Sequence, residues 1–185
     1  IPIDRKKEFG YIFNKTFFET DAEKTKQKNN LLESLDITCF VDDGVFIGKN
    51  LIRDLLPKIK FSHVITDKNV LDLFKDYFNE NEVFLIDKIN GKDLRKIIFD
   101  IKKSDLKFLV GIGGGRVMDY MKYIMMETGK FCIAIPSSLA THVYTSPKIH
   151  VLPAIADLGC EKTIDGPVPD LAILDIGFLE NLQKE

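Results

Sequence analysis

The stretch "FLVGIGGGRVMDYMKYIMM", residues 108–126, decides the fold prediction because glycines join a strand pattern to a helix pattern there. The apolar run at its start predicts a buried strand, and its second half repeats apolar residues at the spacing of a helix. Glycine has no Cβ atom, so the backbone between these elements can approach a ligand closely. The free N–H groups and positive dipole end of the helix favour an anion. We therefore predict phosphate binding at this glycine turn.

Strand and helix patterns alternate on both sides of the turn. The predicted strands are the near-continuous apolar runs "ITCFV", "SHVITD", "EVFLID", "KFLVGIG", "FCIAIP" and "LAILD". Runs of this kind are typical of parallel strands that are buried on both faces. The alternation predicts an open, doubly wound, mostly parallel α/β sheet of the Rossmann-like class, with right-handed crossovers. Ligands of such sheets bind beyond the carboxyl ends of the strands.

Length and composition restrict the remaining possibilities. The chain has 185 residues and a net charge of −2, which argues against a nucleic-acid-binding face. It has no apolar run long enough to span a bilayer and no secretory signal at its start. Its three cysteines are isolated, which favours neither a zinc ribbon nor a disulfide framework. We expect a cytoplasmic protein that binds neither nucleic acid nor membrane, with a polar helical extension over residues 1–36 and an α/β domain over 37–185.

The glycine turn departs from the usual dinucleotide fingerprint G-x-G-x-x-G, because Arg116 stands where the last glycine is expected. Arg116 either reaches a phosphate or is simply solvated. No acidic residue follows about 20 positions later to bind a ribose. The best upstream candidate is Asp67, which ends "SHVITD". It either accepts hydrogen bonds from ribose hydroxyls or caps the helix that starts near Asn69.

Three motifs in order give the chain a family resemblance. "GIGGGRVMDYMK" matches the pattern G-G-G-x-x-x-D-x-x-K, "IPSSLATHVYTSP" matches a P-T-T turn with a later proline, and "VPDLAILD" is similar to P-x-x-A-I-x-D. Over about residues 36–185 the chain resembles the N-terminal dinucleotide domain of the superfamily of dehydroquinate synthase, glycerol dehydrogenase, glycerol-1-phosphate dehydrogenase and iron-containing alcohol dehydrogenase. The basic residue at position 116 resembles the two glycerol enzymes more than the alcohol dehydrogenases.

The resemblance implies a role for each matched residue. Gly113, Gly114 and Gly115 would hold the pyrophosphate of NAD, and Asp119 would support that turn. Asp67 would lie by the adenosine ribose and favour NAD over NADP, because a carboxylate repels a 2′-phosphate. The further residues implied near the cofactor are Ser137, Ser138, Thr141, Thr145, Ser146 and Lys162. Of these, Thr141, Thr145 and Ser146 would line the nicotinamide side.

His142 occupies the position at which the related glycerol enzymes carry a substrate-site Asp. A histidine there could act catalytically as a proton relay or contact a substrate phosphate, or it could be a surface-loop residue. The family's Zn or Fe would be bound by an Asp and two His residues after position 185, on a helical domain that this chain lacks. We therefore expect the 185 residues alone to be inactive, and the intact protein to be a homo-oligomer.

The function predicted from these implications is the NAD-binding part of a metal-dependent polyol or polyol-phosphate dehydrogenase. Such an enzyme transfers hydride between a secondary alcohol and NAD. One alternative is a sugar-phosphate cyclase of the dehydroquinate synthase type, in which NAD is only a transient oxidant. Another is a nucleotide-binding module without catalysis, which the histidine at position 142 and the N-terminal extension motivate.

Overall fold

The computed structural model describes Lys26 and residues 39–42, 44–59, 62–75, 78, 83–138, 142–160 and 162–182. The strands are β1 (Cys39–Asp42), β2 (Val45–Gly48), β3 (Ser62–Thr66), β4 (Val83–Leu85), β5 (Phe108–Gly113), β6 (Phe131–Pro136), β7 (Lys148–Ile149), β8 (Ile164–Asp165) and β9 (Leu171–Asp175). The helices are α1 (Leu51–Leu55), α2 (Lys68–Phe74), α3 (Gly91–Lys103), α4 (Gly115–Thr128), α5 (Pro153–Ala156) and α6 (Ile176–Leu182), and a 3-10 turn follows α1 over Leu56–Lys58. None of the described helices has the length and apolar character needed to cross a bilayer.

Seven of the described strands form one sheet in the order β1-β2-β9-β6-β5-β3-β4. All neighbours from β2 to β4 pair in parallel, and β1 pairs with β2 in antiparallel fashion at one edge. Strands β7 and β8 form a separate two-stranded antiparallel ribbon. The predicted doubly wound, mostly parallel α/β fold is confirmed.

Two apolar layers cover the two faces of the sheet. One layer joins α1, α2 and α6 to strand residues such as Val110, Ile133 and Ile173. The other joins α3, α4 and α5 to the alternate residues, among them Leu109 and Cys132. Because successive strand residues point to opposite faces, the near-continuous apolar runs seen in the sequence serve both layers.

Local sequence fixes the bounds of the two longest helices. Asn90 caps α3 by accepting the N–H of Lys92 and of Asp93, and the Asp93 carboxylate accepts the N–H of Asn90 in return. This reciprocal capping box satisfies backbone donors that the helix itself leaves unpaired. Helix α4 starts directly after Gly114 and ends at Thr128, and Gly129 after it adopts the left-handed conformation. The patterns "GKDLRKIIFDIKKS" and "GRVMDYMKYIMMET" predict helices that begin at residues 91 and 115, and both helices begin there.

The N-terminal part of the α/β domain differs from the prediction. The segment "ITCFV" was expected to be the first parallel strand, but β1 is an antiparallel edge strand, and the first parallel strand is the unpredicted β2. The chain reverses between them at Gly44, whose φ of 112° suits glycine. The pattern "NVLDLFKDYF" predicts a helix over residues 69–78, whereas α2 runs over Lys68–Phe74. The predicted extension over residues 1–36 lies outside the described residues, apart from Lys26.

Candidate functional site

Strands β3 and β5 are neighbours in the sheet, and the chain leaves their carboxyl ends in opposite directions. The chain runs from β3 through α2 outward to β4, and from β5 through α4 the other way to β6. Thr66 pairs with Ile112 in the parallel register, so Asp67 and Gly113 follow side by side at the carboxyl edge. A reversal of this kind opens a crevice beyond the strand ends, which is where open α/β sheets bind ligands.

Gly113 and Gly114 meet different surroundings within the glycine turn. A Cβ atom on Gly113 would lie 2.4 Å from Val117 Cγ2, and the φ of this residue is 156°. Glycine is therefore required at position 113 by packing and by backbone conformation. Among the described residues, a Cβ atom on Gly114 would have a single neighbour within 4 Å, Ser137 Oγ at 3.9 Å. The main chain at Gly114 thus faces open space at the start of α4, as a phosphate-binding turn requires.

Of the two roles that the sequence position left open for Asp67, the structure shows the helix cap. Its Oδ1 atom accepts the N–H of Val70 at 3.0 Å and caps α2, which begins at Lys68. Its Oδ2 atom lies 3.2 Å from the position of a Cβ on Gly113. One carboxylate oxygen is thus used by the helix, and the other lies against the glycine turn. The residue as a whole is half-buried.

The end of β6 is tied to the same turn. The N–H of Ser137 donates to the Gly113 carbonyl at 2.9 Å, and the side chains of Ser137 and Ser138 are half-buried. On the other side, the Thr66 hydroxyl donates to the Ile112 carbonyl at 2.8 Å. These bonds hold three adjacent strand ends together around Gly113. The crevice therefore contains Asp67, the bare main chain of Gly114 and the first of the two predicted serines.

The segment of residues 142–150, here called the return loop, contains most of the residues predicted at the nicotinamide side. The His142 carbonyl accepts the N–H of Thr145 and of Ser146, both at 3.0 Å, and the Thr145 hydroxyl at 3.1 Å. Ser146 Oγ accepts the N–H of Lys148 at 3.2 Å. The side chain of His142 is exposed. Thr145 and Ser146 thus use their hydroxyls within the turn, and Thr141 lies outside the described residues.

The resemblance implies that Asp119 supports the glycine turn. The residue lies beyond the first turn of α4. The side chain is only 4% exposed. Oδ1 accepts the N–H of His150 at 2.9 Å, and Oδ2 lies 3.4 Å from His150 Nδ1. Burial raises the pKa of Asp119, and the contacts with His150 and the charge of Lys122 oppose that rise. Asp119 therefore holds the end of the return loop, and any support for the glycine turn is indirect.

Lys122, the last residue of the pattern G-G-G-x-x-x-D-x-x-K, has no predicted role but is fully buried. Its ammonium group donates to the carbonyls of Val143 at 3.1 Å, of Ser146 at 2.6 Å and of Lys148. Burial lowers the pKa of Lys122 to about 8, against an opposing effect of Asp119. The sequence marked this lysine only through the motif, because its partners lie 21–26 residues further along the chain.

Two other predicted cofactor residues are on the surface. Arg116 lies in the first turn of α4 with an exposed side chain, and Lys162 is exposed two residues before β8. The final Asp175 of "VPDLAILD" has a structural role: it is 3% exposed and accepts the N–H groups of Asn50, Ile52 and Phe178. Among the residues that the structure describes, no group of three or more His, Cys, Asp or Glu side chains could hold a metal ion.

Comparison with known proteins gives consistent matches over this region. The family model of iron-containing alcohol dehydrogenase matches residues 60–181. Glycerol-1-phosphate dehydrogenase (NAD(P)+) of Archaeoglobus fulgidus is 25% identical over 151 residues, which cover 74% of this chain and 41% of the relative. The enzyme of the same name from Saccharolobus islandicus is 30% identical over 118 residues, which cover 56% and 33%. The chain therefore spans less than half the length of these curated relatives.

A solved structure supports the fold. Sulfoacetaldehyde reductase from Bifidobacterium kashiwanohense, in complex with NAD+, superposes with a TM-score of 0.54 and 18% sequence identity. The match covers 76% of this chain and 46% of the reductase chain. At this level of identity the likeness concerns the architecture of the α/β domain.

Proposed function

The chain belongs to the iron-containing alcohol dehydrogenase family, and we propose that it is the NAD-binding part of a metal-dependent polyol or polyol-phosphate dehydrogenase. The observation that carries the proposal is the crevice between β3 and β5, where Asp67 lies beside a glycine turn with open space before Gly114. The matched enzymes named glycerol-1-phosphate dehydrogenase favour glycerol-1-phosphate or glycerol as the substrate type.

The described residues fit a bound dinucleotide at its adenosine and pyrophosphate half. The main-chain N–H groups at the start of α4 would bind the pyrophosphate, because no side chain in the described part of the chain fills the space in front of Gly114. The free Asp67 oxygen would accept hydrogen bonds from the adenosine ribose. Its charge would oppose a 2′-phosphate, which favours NAD over NADP. Arg116, exposed in the first helical turn, would supply a positive charge for the phosphates.

The residues beyond the pyrophosphate would orient the nicotinamide. We assign Ser137, Ser138, Thr141, Thr145 and Ser146 to this side, Lys162 to a nearby charge contact, and His142 to the substrate side. When bound, NAD supplies the hydride acceptor; the chain supplies orientation. The metal, Zn or Fe, would be held by residues outside those described here, in the helical domain expected after residue 185.

Titration calorimetry with NAD and NADP tests this proposal on the whole 185-residue chain. We expect NAD to bind more tightly than NADP. Asp67→Asn keeps the helix cap, because Asn is also a good N-cap residue, but removes the charge. We expect this change to shift the NADP-to-NAD affinity ratio about tenfold towards NADP, or about 1.4 kcal/mol.

Asp93→Asn is the matched control, because Asp93 also caps a helix start at this edge of the sheet but lies outside the β3–β5 crevice. It should leave the affinity ratio unchanged. Absence of any heat with millimolar NAD would overturn the proposed function. An unchanged ratio in Asp67→Asn would overturn the ribose assignment alone.

A further inference from the structure

We propose that Lys122 is a positioning residue that holds the return loop in the shape that orients the nicotinamide half of the dinucleotide. The inference rests on the proposed function and adds a residue to it. Lys122 is 0% exposed, and its three carbonyl acceptors belong to three different residues of the loop. An ammonium group has three donors, so this lysine makes the full number of hydrogen bonds available to it.

The position of Lys122 on α4 links the loop to the phosphate-binding turn. The Cα–Cβ bonds of a helix tilt towards its N-terminus, which in α4 is the end that follows the glycine turn. Asp119, one turn earlier, holds the far end of the same loop through the N–H of His150. Helix α4 begins immediately after Gly114. One helix therefore both presents the glycine turn and fixes the loop that follows β6.

The energetics favour a role for Lys122 in loop shape over a role in core packing. Burial of an ammonium group carries a large desolvation cost, and an apolar residue of similar volume would fill the same space without it. The lysine is useful because its single ammonium group donates hydrogen bonds to the loop carbonyls at positions 143, 146 and 148. Charge-assisted hydrogen bonds to all three constrain the backbone between Val143 and Lys148. The side chain itself is enclosed and would touch neither cofactor nor substrate.

The test compares the two halves of the cofactor in the whole chain. NADH fluorescence reports how the dihydronicotinamide is held. Calorimetry with ADP-ribose, which lacks the nicotinamide, reports the affinity for the adenosine and pyrophosphate half. In Lys122→Met, we expect the fluorescence enhancement of saturating NADH to fall by at least about twofold. The dissociation constant for ADP-ribose should stay within about twofold of the wild-type value, because the glycine turn is unchanged. A general loss of folding would affect both readouts together.

Lys130→Met is the matched control. Lys130 also donates to a main-chain carbonyl, that of Ser104 at 2.7 Å, but it precedes β6 at the opposite edge of the sheet. Neither readout should change in this variant. Lys122→Gln provides a second variant if the methionine protein does not fold, since Gln retains two donors without the charge. We expect it to lower the enhancement less than Met does.

Several outcomes decide the matter. Retained enhancement in Lys122→Met, or an equal loss of NADH enhancement and ADP-ribose affinity in the folded variants, would overturn the positioning role. Wild-type binding of NADH without any enhancement would also overturn it, while leaving the proposed function intact. A wild-type chain that binds neither NADH nor ADP-ribose would overturn the proposed function, and this inference with it.

Discussion

The two edges of the parallel sheet use their polar groups in different ways. At the amino edge, Lys130 donates to the Ser104 carbonyl, and Asp170 accepts the N–H of Cys132 at 2.8 Å. These bonds join the start of β6 to the segments that precede β5 and β9. At the carboxyl edge, Asp67 leaves one oxygen against the glycine turn, and Gly114 faces open space. The polar groups at the amino edge thus bond to one another, whereas those at the carboxyl edge form the crevice that we propose binds a ligand.

Within the carboxyl edge, the comparison of adjacent glycines predicts the largest effect on stability. Gly113→Ala would place a Cβ 2.4 Å from Val117 Cγ2 on a backbone with a φ of 156°. We expect a loss of about 3 kcal/mol in the free energy of unfolding, because overpacking and backbone strain add together. Gly114→Ala should change that energy by no more than about 0.5 kcal/mol, since its Cβ enters open space. Urea unfolding measures both, and equal losses would contradict the assignment of the two glycines.

At the amino edge, we expect replacement of His63 to change the free energy of unfolding by a smaller amount, which depends on pH. The side chain is 6% exposed, and neither ring nitrogen has a hydrogen-bond partner among the described residues. Burial, aided by the charge of Lys130, lowers the pKa of His63 below its ordinary value of 6.5. The unfolded chain therefore takes up a proton that the folded chain resists, and the contribution of His63 to stability is lost as the pH falls below 6.5.

Replacement of His63 by phenylalanine tests this account. His63→Phe should raise the free energy of unfolding by about 1 kcal/mol at pH 7, because two unpaired polar atoms leave the core. The ring would lie near Phe84, whose centroid is 5.8 Å from that of His63. The variant should also lose less stability than the wild type between pH 7 and pH 5. Parallel pH profiles for the two proteins, measured by urea unfolding, would contradict the proposed cause.

The sequence predicted those parts of the fold whose signals are local. Helix α4 and the strands β6 and β9 have the predicted bounds, because continuous apolar runs end at glycine, proline or aspartate. Strand β2 was missed because it is only four residues long and follows a turn at Gly44. The sequence "DDG" before β2 is typical of a β-hairpin turn. It was not read as one because "ITCFV" was expected to be a parallel strand, whereas β1 pairs with β2 in antiparallel fashion.

The candidate site was predictable only in part, because local sequence patterns mark some of its residues and not others. The glycine turn and Asp67 follow their strands directly, so the parallel register brings them together. The contacts of Asp119 and Lys122 depend on how residues 142–150 fold back onto α4, and no local pattern fixes that path. Asp67 caps α2 through one carboxylate oxygen, and the ligand contact that we propose uses the other.

The most direct test of the central claim is calorimetric titration of the wild type and Gly114→Val with NAD. The account holds that the open main chain at Gly114 binds the pyrophosphate, and a valine side chain would occupy that space. We predict that NAD affinity falls at least about tenfold while the urea midpoint stays near that of the wild type. Equal NAD affinity in the two proteins, with the variant folded, would contradict the phosphate assignment at the β3–β5 crevice.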